Sequence, residues 1–172
     1  MFLGDSISEF GLWEEWFPET PLLNRGIGGE TSAQVLARLD TAINEPRAVF
    51  LLVGTNDLTA NVAHDTIVDN VRRILDEIER RAPGTPVHLQ SVMPRTADFA
   101  EEIRLLNRRY LQLAETRPLV TYLDLWPALA DENGLLAKRY TLDRLHLNGA
   151  GYRAWVEVLR PLVAAVTAGP TR

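Results

Sequence analysis

The sequence predicts an α/β protein, a three-layer α/β/α sandwich around a parallel sheet of roughly five strands. Two observations predict this class. Short apolar segments alternate with segments whose apolar residues recur at helical spacing, as expected when each strand is followed by a crossover helix. One segment, 48–53, is apolar throughout, which is typical of a strand covered on both faces. In such a fold, the loops at the carboxyl ends of the strands form the ligand crevice.

The elements of the amino-terminal third are short. Met1 to Leu3 is a brief apolar segment before a glycine and predicts the first strand, and Pro21 to Asn24 predicts the second. A helix is predicted at Ser32 to Leu39, after a glycine-rich loop. Ala48 to Val53 is the clearest strand, because it is continuously apolar and ends at a glycine.

Helices and strands continue to alternate in the rest of the chain. The segment 66–82 is the clearest helix, because its apolar residues fall on one helical face and Pro83-Gly84 closes it. Pro161 is a candidate for a kink in the last helix. The remaining predictions are a strand at 86–92, a helix at 100–116, a strand at 119–125 and a helix that begins after Asn148 and ends at Gly169-Pro170.

Composition limits the domain count and the partners. The 172 residues are 46% hydrophobic and 24% charged, with no linker, repeat or low-complexity tract, which predicts a single domain over residues 1–172. The formal net charge of -5 and the scattered lysines and arginines argue against nucleic acid as a partner. Cysteine is absent, which excludes disulfides, a thiol nucleophile and thiolate-bound zinc.

The chain also lacks membrane signals. No stretch approaches the roughly 20 apolar residues that span a bilayer, and the first residues do not have the charged-then-apolar pattern of a signal peptide. We therefore expect no membrane span and a soluble, cytoplasmic protein, although a leader removed before this numbering would leave no trace. Apolar residues exposed on the last helix would allow a homodimer.

Two motifs near opposite ends of the chain contain the groups of nucleophilic catalysis. Gly4-Asp5-Ser6 supplies a hydroxyl, and Asp143-Arg144-Leu145-His146 supplies a carboxylate and an imidazole three residues apart, on the same side of a turn. A serine becomes a nucleophile when an imidazole takes its proton and a carboxylate orients that imidazole. The structural alternatives are a turn that caps the following helix for Ser6 and a surface pair at a helix entrance for Asp143 and His146.

Two further loops have the composition of sites that stabilise negative charge. They are Asn24-Arg25-Gly26-Ile27-Gly28-Gly29 and Gly54-Thr55-Asn56-Asp57, which offer unobstructed backbone N–H groups and a side-chain amide. Their structural alternatives are a strand-to-helix turn that needs positive φ and an Asx turn. The first loop lacks the Lys-Ser/Thr ending of a P-loop and does not match the dinucleotide pattern.

The other reaction classes fit the sequence less well. His64 lies near a helix start and His88 in a strand, so both are predicted to be structural. A carboxylate and a histidine three apart can bind zinc, but a catalytic zinc needs about three protein ligands and no second histidine lies at helical spacing. We expect neither a metal nor a cofactor. The Gly-x-Ser-x-Gly pentapeptide of the nucleophile elbow does not occur around Ser6.

The four motifs follow one another in the order Gly-Asp-Ser, Asn-x-Gly-x-Gly-Gly, Gly-Thr-Asn-Asp and Asp-x-x-His. In this order, and over nearly the whole chain, they resemble the SGNH hydrolase superfamily, also called the GDSL esterases and lipases. The resemblance implies a flavodoxin-like sandwich and an ester hydrolase. Members usually have a full strand before Gly-Asp-Ser, whereas only Met1 to Leu3 precede it here, so the strand is either truncated or begins upstream of this numbering.

The resemblance also implies a role for each residue of the site. Ser6 would be the nucleophile, His146 the base and Asp143 the partner that orients His146. The implied oxyanion donors are the backbone N–H groups of Ser6 and Gly29, with Gly28 as the fallback for the glycine, and the side-chain amide of Asn56.

Within the superfamily, the run Asn-Arg-Gly-Ile-Gly-Gly-Glu-Thr and the later Val-Gly-Thr-Asn look most like the catalytic subunits of intracellular platelet-activating-factor acetylhydrolase and their bacterial relatives. The likeness implies a serine esterase that acts on small esters with short, acetyl-like acyl groups through an acyl-enzyme. A lysophospholipase or thioesterase with the same site, a catalytically silent binding module and a flavodoxin-like cofactor carrier are the alternatives. Short connections leave no room for a large lid, which predicts an open crevice. The residues predicted to line it are Asp5, Gly28, Leu58, Arg95, Phe99 and Leu145.

Overall fold

The computed structural model describes residues 1–168, whose strands form one five-stranded parallel sheet. The strands are β1 (Phe2–Gly4), β2 (Asn24–Gly26), β3 (Val49–Leu52), β4 (Val87–Gln90) and β5 (Val120–Leu123). Their order across the sheet is β2-β1-β3-β4-β5. The short first strand therefore lies inside the sheet, hydrogen-bonded to a neighbour on each side.

Helices connect the strands and cover both faces of the sheet. Within residues 1–168 they are α1 (Ser6–Glu9), α2 (Trp13–Trp16), α3 (Ser32–Ala37), α4 (Leu39–Ala42), α5 (Thr55–Thr59), α6 (His64–Arg81), α7 (Ala97–Glu115), α8 (Trp126–Leu129) and α9 (Gly149–Ala168), with a 3-10 turn at Lys138–Tyr140. No helix among these residues combines the length and apolarity needed to cross a bilayer. The fold confirms the predicted three-layer α/β/α class.

Two apolar clusters form the core, one on each face of the sheet. Alternate residues of a strand point to opposite faces, so Phe50 and Leu52 of β3 join one cluster while Val49 and Leu51 join the other. This arrangement explains why 48–53 is apolar throughout. The first cluster also contains the buried faces of α6 and α7, and the second contains that of α9.

The second strand does not lie where the sequence predicted it. The prediction followed the apolar residues Pro21 to Leu23, whereas β2 begins at Asn24 and pairs through Gly26 with β1. An edge strand needs no continuous apolar run, because solvent reaches it, and both Asn24 and Arg25 are exposed. Leu22 instead packs its side chain against the second core cluster.

The predicted helix at 32–39 is interrupted at Arg38. Its backbone (φ -110°, ψ 11°) leaves the helical region and separates α3 from α4. In contrast, α6 and α7 begin two and three residues earlier than predicted. α9 begins directly after Asn148 as predicted and continues through Pro161, and the predicted end at Gly169-Pro170 lies outside the described residues.

Candidate active site

A sharp turn at the end of β1 places Ser6 at the carboxyl edge of the sheet. Asp5 is the N-cap of α1, and its carboxylate accepts a hydrogen bond of 3.0 Å from the backbone N–H of Ile7. Ser6 is the first residue of that helix and is largely buried. The cap fixes the first turn of α1 and so determines where the Ser6 hydroxyl points.

His146 approaches Ser6 from the loop that precedes α9. Its Nε2 atom lies 3.0 Å from Ser6 Oγ, and its Nδ1 atom lies 2.6 Å from Asp143 Oδ2. The other carboxylate oxygen of Asp143 accepts hydrogen bonds from the backbone N–H groups of Leu145 and His146. Arg144 adopts a left-handed conformation (φ 66°), which makes this turn tight enough for the two side chains to meet.

The charge of Asp143 determines the tautomer of His146. Partial desolvation opposes ionisation of the carboxyl group, but hydrogen bonds from the His146 ring and from the backbone of Leu145 and His146 outweigh it and hold its pKa below the usual range. An ionised Asp143 accepts the Nδ1 proton of His146, which leaves Nε2 as an acceptor for the Ser6 hydroxyl. Ser6, His146 and Asp143 therefore have the geometry of a catalytic triad.

The glycine-rich loop after β2 approaches Ser6 closely. A Cβ atom on Gly28 would lie 3.7 Å from Ser6 Cβ and 2.9 Å from Glu9 Oε2, so a side chain there would crowd the space above Ser6. Gly29 has a φ of +78°, a conformation that L side chains rarely adopt. Both glycines therefore have a local structural reason for being glycine.

Asn56 lies in α5, just after β3, and faces the glycine-rich loop. Its Nδ2 atom donates a hydrogen bond of 2.9 Å to the carbonyl oxygen of Glu30, the residue after Gly29. An amide nitrogen has two N–H groups, so one remains for a ligand. The structure thus brings the loops after β1, β2 and β3 together at one edge of the sheet, as the parallel topology requires.

The six residues predicted to line the crevice differ in their burial and in their contacts. Asp5 and Leu58 are 1% and 7% exposed: Asp5 caps α1 and Leu58 packs in the first core cluster, and a role for either in binding substrate stays a prediction. Gly28 lies beside Ser6, as described above. Arg95 stacks over Phe99 at 3.8 Å from the ring centroid. Leu145 packs in part against the second cluster.

Arg95 is attached to the helix that contains Asn56. Its Nη1 atom donates to Thr59 Oγ1 at 2.8 Å and approaches both oxygen atoms of Thr55 at 3.3 Å. Burial lowers the pKa of Arg95, and the negative charge of Asp143 acts in the opposite direction.

Sequence reasoning missed two contributors to the site. Phe10 is 55% exposed and its ring centroid lies 5.4 Å from that of His146. Arg38 forms an ion pair of 2.6 Å with Glu30 and donates to the carbonyl oxygens of Gly4 and Arg25. The position of Phe10, one helical turn after Ser6, could have indicated the first contact. No local pattern marks the second.

The remaining histidines have contacts away from Ser6. His64 Nε2 lies 3.0 Å from Glu102 Oε2, and the His88 ring stacks on Phe50 at 4.7 Å between centroids. Burial lowers the pKa of His88. In the part of the chain that the structure describes, no three side chains of His, Cys, Asp or Glu cluster closely enough to hold a metal ion.

Comparison with known proteins identifies the family to which the chain belongs. The model of the GDSL-like Lipase/Acylhydrolase family matches residues 2–154, and the chain belongs to this family. The protein is therefore an ester hydrolase with the SGNH α/β fold.

Several relatives are similar over most of their length. The chain is 28% identical to platelet-activating factor acetylhydrolase IB subunit alpha1 from Homo sapiens over 181 residues, which cover 98% of this chain and 76% of that protein. It superposes with a TM-score of 0.89 and 31% identity on a Streptococcus pneumonia protein provisionally described as a platelet activating factor (94% and 82% covered). A GDSL-like lipase from Bacteroides thetaiotaomicron VPI-5482 gives a TM-score of 0.83 at 26% identity (95% and 86% covered).

Proposed function

We propose that this ester hydrolase is a serine esterase that cleaves carboxylic esters with short acyl groups, acetyl above all, through an acyl-enzyme. One observation carries the proposal: Ser6 Oγ lies 3.0 Å from His146 Nε2, while His146 Nδ1 lies 2.6 Å from Asp143 Oδ2. The hydrogen-bonded chain from hydroxyl through imidazole to carboxylate is the arrangement that activates a serine for acyl transfer. We also propose that residues 1–172 form a single domain.

The reaction proceeds in two acyl transfers. His146 Nε2 takes the proton of Ser6 as Oγ forms a bond to the ester carbonyl carbon, and the carbonyl oxygen becomes an oxyanion. When the tetrahedral intermediate collapses, the bond to the leaving alcohol breaks and His146 gives that oxygen the proton, leaving an acyl group on Ser6. Water then attacks the acyl carbon, His146 takes its proton, and Ser6 recovers that proton as the carboxylic acid leaves.

Three donors stabilise the oxyanion in this proposal. They are the backbone N–H groups of Ser6 and Gly29 and the free N–H of the Asn56 side-chain amide. The first N–H groups of a helix have no intrahelical partner, which favours Ser6 as a donor. Asn56 is held by its bond to Glu30, so its second N–H is fixed in direction before substrate arrives. Donors fixed in advance contribute most to transition-state stabilisation.

The preference for short acyl groups rests on the exposure of the site and on the names of the relatives. The side chains of His146 and Asp143 are 33% and 53% exposed, so the triad lies near the surface rather than at the base of a deep channel. The human relative is named an acetylhydrolase. A shallow site gives a long acyl chain little apolar surface to bind.

The test is hydrolysis of p-nitrophenyl acetate, butyrate and octanoate by wild type, Ser6→Ala and Ser8→Ala. Ser8 is a matched control, because it is fully buried in the same helix and its hydroxyl has no hydrogen-bond partner among the described residues. We expect Ser6→Ala to lower kcat by about 10³- to 10⁶-fold, Ser8→Ala to stay near wild type, and wild-type kcat/KM to fall with chain length.

A phosphonate ester that traps serine nucleophiles provides a second readout. Mass spectrometry should locate the adduct on Ser6 in wild type. The catalytic proposal is wrong if Ser6→Ala retains near-normal turnover, or if wild type shows neither turnover nor labelling. A rate that rises from acetate to octanoate would contradict the short-acyl preference alone.

A further inference from the structure

A buried carboxylate that takes no part in the proposed reaction lies next to Asn56. Asp57 is 1% exposed, and among the described residues no arginine, lysine or histidine forms an ion pair with it. Its two oxygens instead accept hydrogen bonds from Ser32, at 2.8 Å from the backbone N–H and 2.6 Å from the hydroxyl. Burying a carboxylate that has hydrogen bonds but no ion pair costs folding free energy. A role for Asp57 in the site would explain why the fold retains it.

The Ser32 hydroxyl is held on its other side as well. Asn70, on α6, donates from Nδ2 to Ser32 Oγ at 3.0 Å, and both side chains are buried. Ser32 Oγ therefore accepts from Asn70 and donates to Asp57, which fixes the direction of its proton. The hydroxyl, the carboxylate and the amide form a continuous buried network that links α3, α5 and α6.

This network joins the two segments that contain the proposed oxyanion donors. Ser32 follows Gly29 by three residues, and Asp57 directly follows Asn56. A second connection, from Asn56 Nδ2 to the Glu30 carbonyl oxygen, joins the same segments nearer the surface. Two connections, from Glu30 and Ser32 on one segment to Asn56 and Asp57 on the other, fix both the separation and the relative orientation of the segments, which one connection alone would leave free to pivot.

We propose that Ser32, Asp57 and Asn70 are positioning residues of the oxyanion site, setting the distance between the Gly29 N–H and the Asn56 amide. The inference rests on the proposed function, since the donors it positions are those assigned above. Donors must lie within about 2.7–3.1 Å of the developing oxyanion, and a misplacement of about 1 Å can cost on the order of a hundredfold in rate. In this proposal the three residues hold the donors within that distance range, and they act through the two donor segments rather than on the substrate.

The test compares two buried serines. Ser32→Ala removes the network hydroxyl, and Ser91→Ala removes another fully buried hydroxyl, which accepts a 2.9 Å bond from Leu125 N and lies after β4, outside both donor loops. With p-nitrophenyl acetate and both variants folded by circular dichroism, we expect Ser32→Ala to lower kcat by about 10- to 100-fold with KM within about threefold. Ser91→Ala should melt at a lower temperature but keep kcat near wild type.

A double-mutant cycle provides the second measurement. If Ser32 acts by placing the Asn56 amide, Ser32→Ala should lower kcat less in an Asn56→Ala background than in wild type, because the positioned group is already gone. Asn56→Ala alone should lower kcat by about 10²- to 10³-fold. Full additivity of the two changes in log kcat would overturn the inference.

The failure of this inference can be told apart from failure of the proposed function. Retained turnover in Ser6→Ala would contradict the function itself. Loss of turnover in Ser6→Ala together with an unchanged kcat in Ser32→Ala, or an equal fall in Ser91→Ala, would contradict only the positioning role.

Discussion

Asp5 illustrates how one residue of the GDS motif contributes to the fold. Its carboxyl group is buried and caps α1, and the residue directly precedes Ser6. Burial raises its pKa to about 7, from 3.8 in an unstructured chain. Between these two values the folded protein holds a proton that the unfolded chain has lost. This residue therefore lowers the free energy of unfolding progressively as pH rises from about 4 to about 7.

Asp5→Asn should remove that pH dependence. The asparagine oxygen can still cap α1, and it carries no titratable proton, so the stability of the variant relative to wild type should increase from pH 5 to pH 8. Urea unfolding at both values measures the difference. Asp124→Asn is the control, because Asp124 accepts the same kind of bond, from Trp126 N, while exposed. If the free energy of unfolding of Asp5→Asn differed from that of wild type by the same amount at pH 5 and at pH 8, the prediction would be wrong.

For individual residues, the sequence was most informative about the candidate site, because the chemistry proposed there depends on residue type. Ser6, His146, Asp143 and Asn56 could be selected because few side chains can act as nucleophile, base or amide donor, and the structure brings the first three into contact. The sequence did not reveal that Leu58 packs in the first core cluster, because its neighbourhood in the motif says nothing about which side of a short helix faces inward. The contacts of Arg38 depend on backbone direction, which no motif encodes.

The elements around the site are held together by close backbone approach. A Cβ atom on Gly26, at the end of β2, would lie 2.2 Å from the backbone nitrogen of Glu9 in α1. The strand therefore contacts the helix that begins with Ser6 at a distance only glycine permits.

Gly26→Ala should move α1 and disturb Ser6, the proposed nucleophile. Because the nearest atoms belong to the backbone, no side chain can give way, and we expect a stability loss of about 1–3 kcal/mol, typical of overpacking, together with a lower kcat. Gly149→Ala is the matched control, since nothing lies within 4 Å of its added Cβ at the start of α9. Thermal melting and ester hydrolysis of both variants test this. A Gly26→Ala variant that melts and turns over like wild type would refute it.

Element types were predicted more accurately than their ends. Periodicity identified α6 and α7 because one continuous face of each packs in the core. It could not locate β2, whose pairing with β1 depends on backbone hydrogen bonds rather than on apolar side chains. Nor could periodicity find the break between α3 and α4 at Arg38. The guanidinium of this residue binds Glu30 and two backbone carbonyl oxygens, contacts that the spacing of apolar residues does not report.

Across the whole molecule, α9 links the end of the described chain to its beginning. Tyr152 donates from its hydroxyl to the carbonyl oxygen of Ile7 at 2.7 Å, and Trp155 donates from Nε1 to Gln90 Oε1 at 2.7 Å. Both side chains are buried in the second core cluster, and of these two hydrogen bonds only that of Tyr152 reaches α1, the helix that begins with Ser6.

From these contacts we expect changes at Tyr152 and Trp155 to affect the free energy of unfolding and kcat in different proportions. Tyr152→Phe should cost about 1–3 kcal/mol, because it strands a buried carbonyl, and should lower kcat about tenfold by releasing Ile7 next to Ser6. Trp155→Phe should destabilise more, since it leaves a cavity and an unpaired Gln90, yet change kcat less. Urea unfolding and ester hydrolysis measure both quantities. If the fall in kcat simply follows the loss of stability across the pair, the link from α9 to Ser6 has no catalytic role.

The global architecture was predictable because alternation of strand and helix leaves few topologies for a parallel sheet. The sequence did not reveal the order β2-β1-β3-β4-β5 directly, since strand pairing is a long-range property. The order matters for the site, because it makes the loops after β1, β2 and β3 neighbours.

Ser6 and His146, the proposed nucleophile and its proposed base, are separated by 140 positions along the chain. In the proposed mechanism, Ser6 becomes a nucleophile only once the loop before α9 has placed His146 beside it. On that proposal, a partly folded molecule in which this loop has not docked has no activated serine. Ester hydrolysis measured during refolding will report the docking of the last loop, because that event completes the reaction centre.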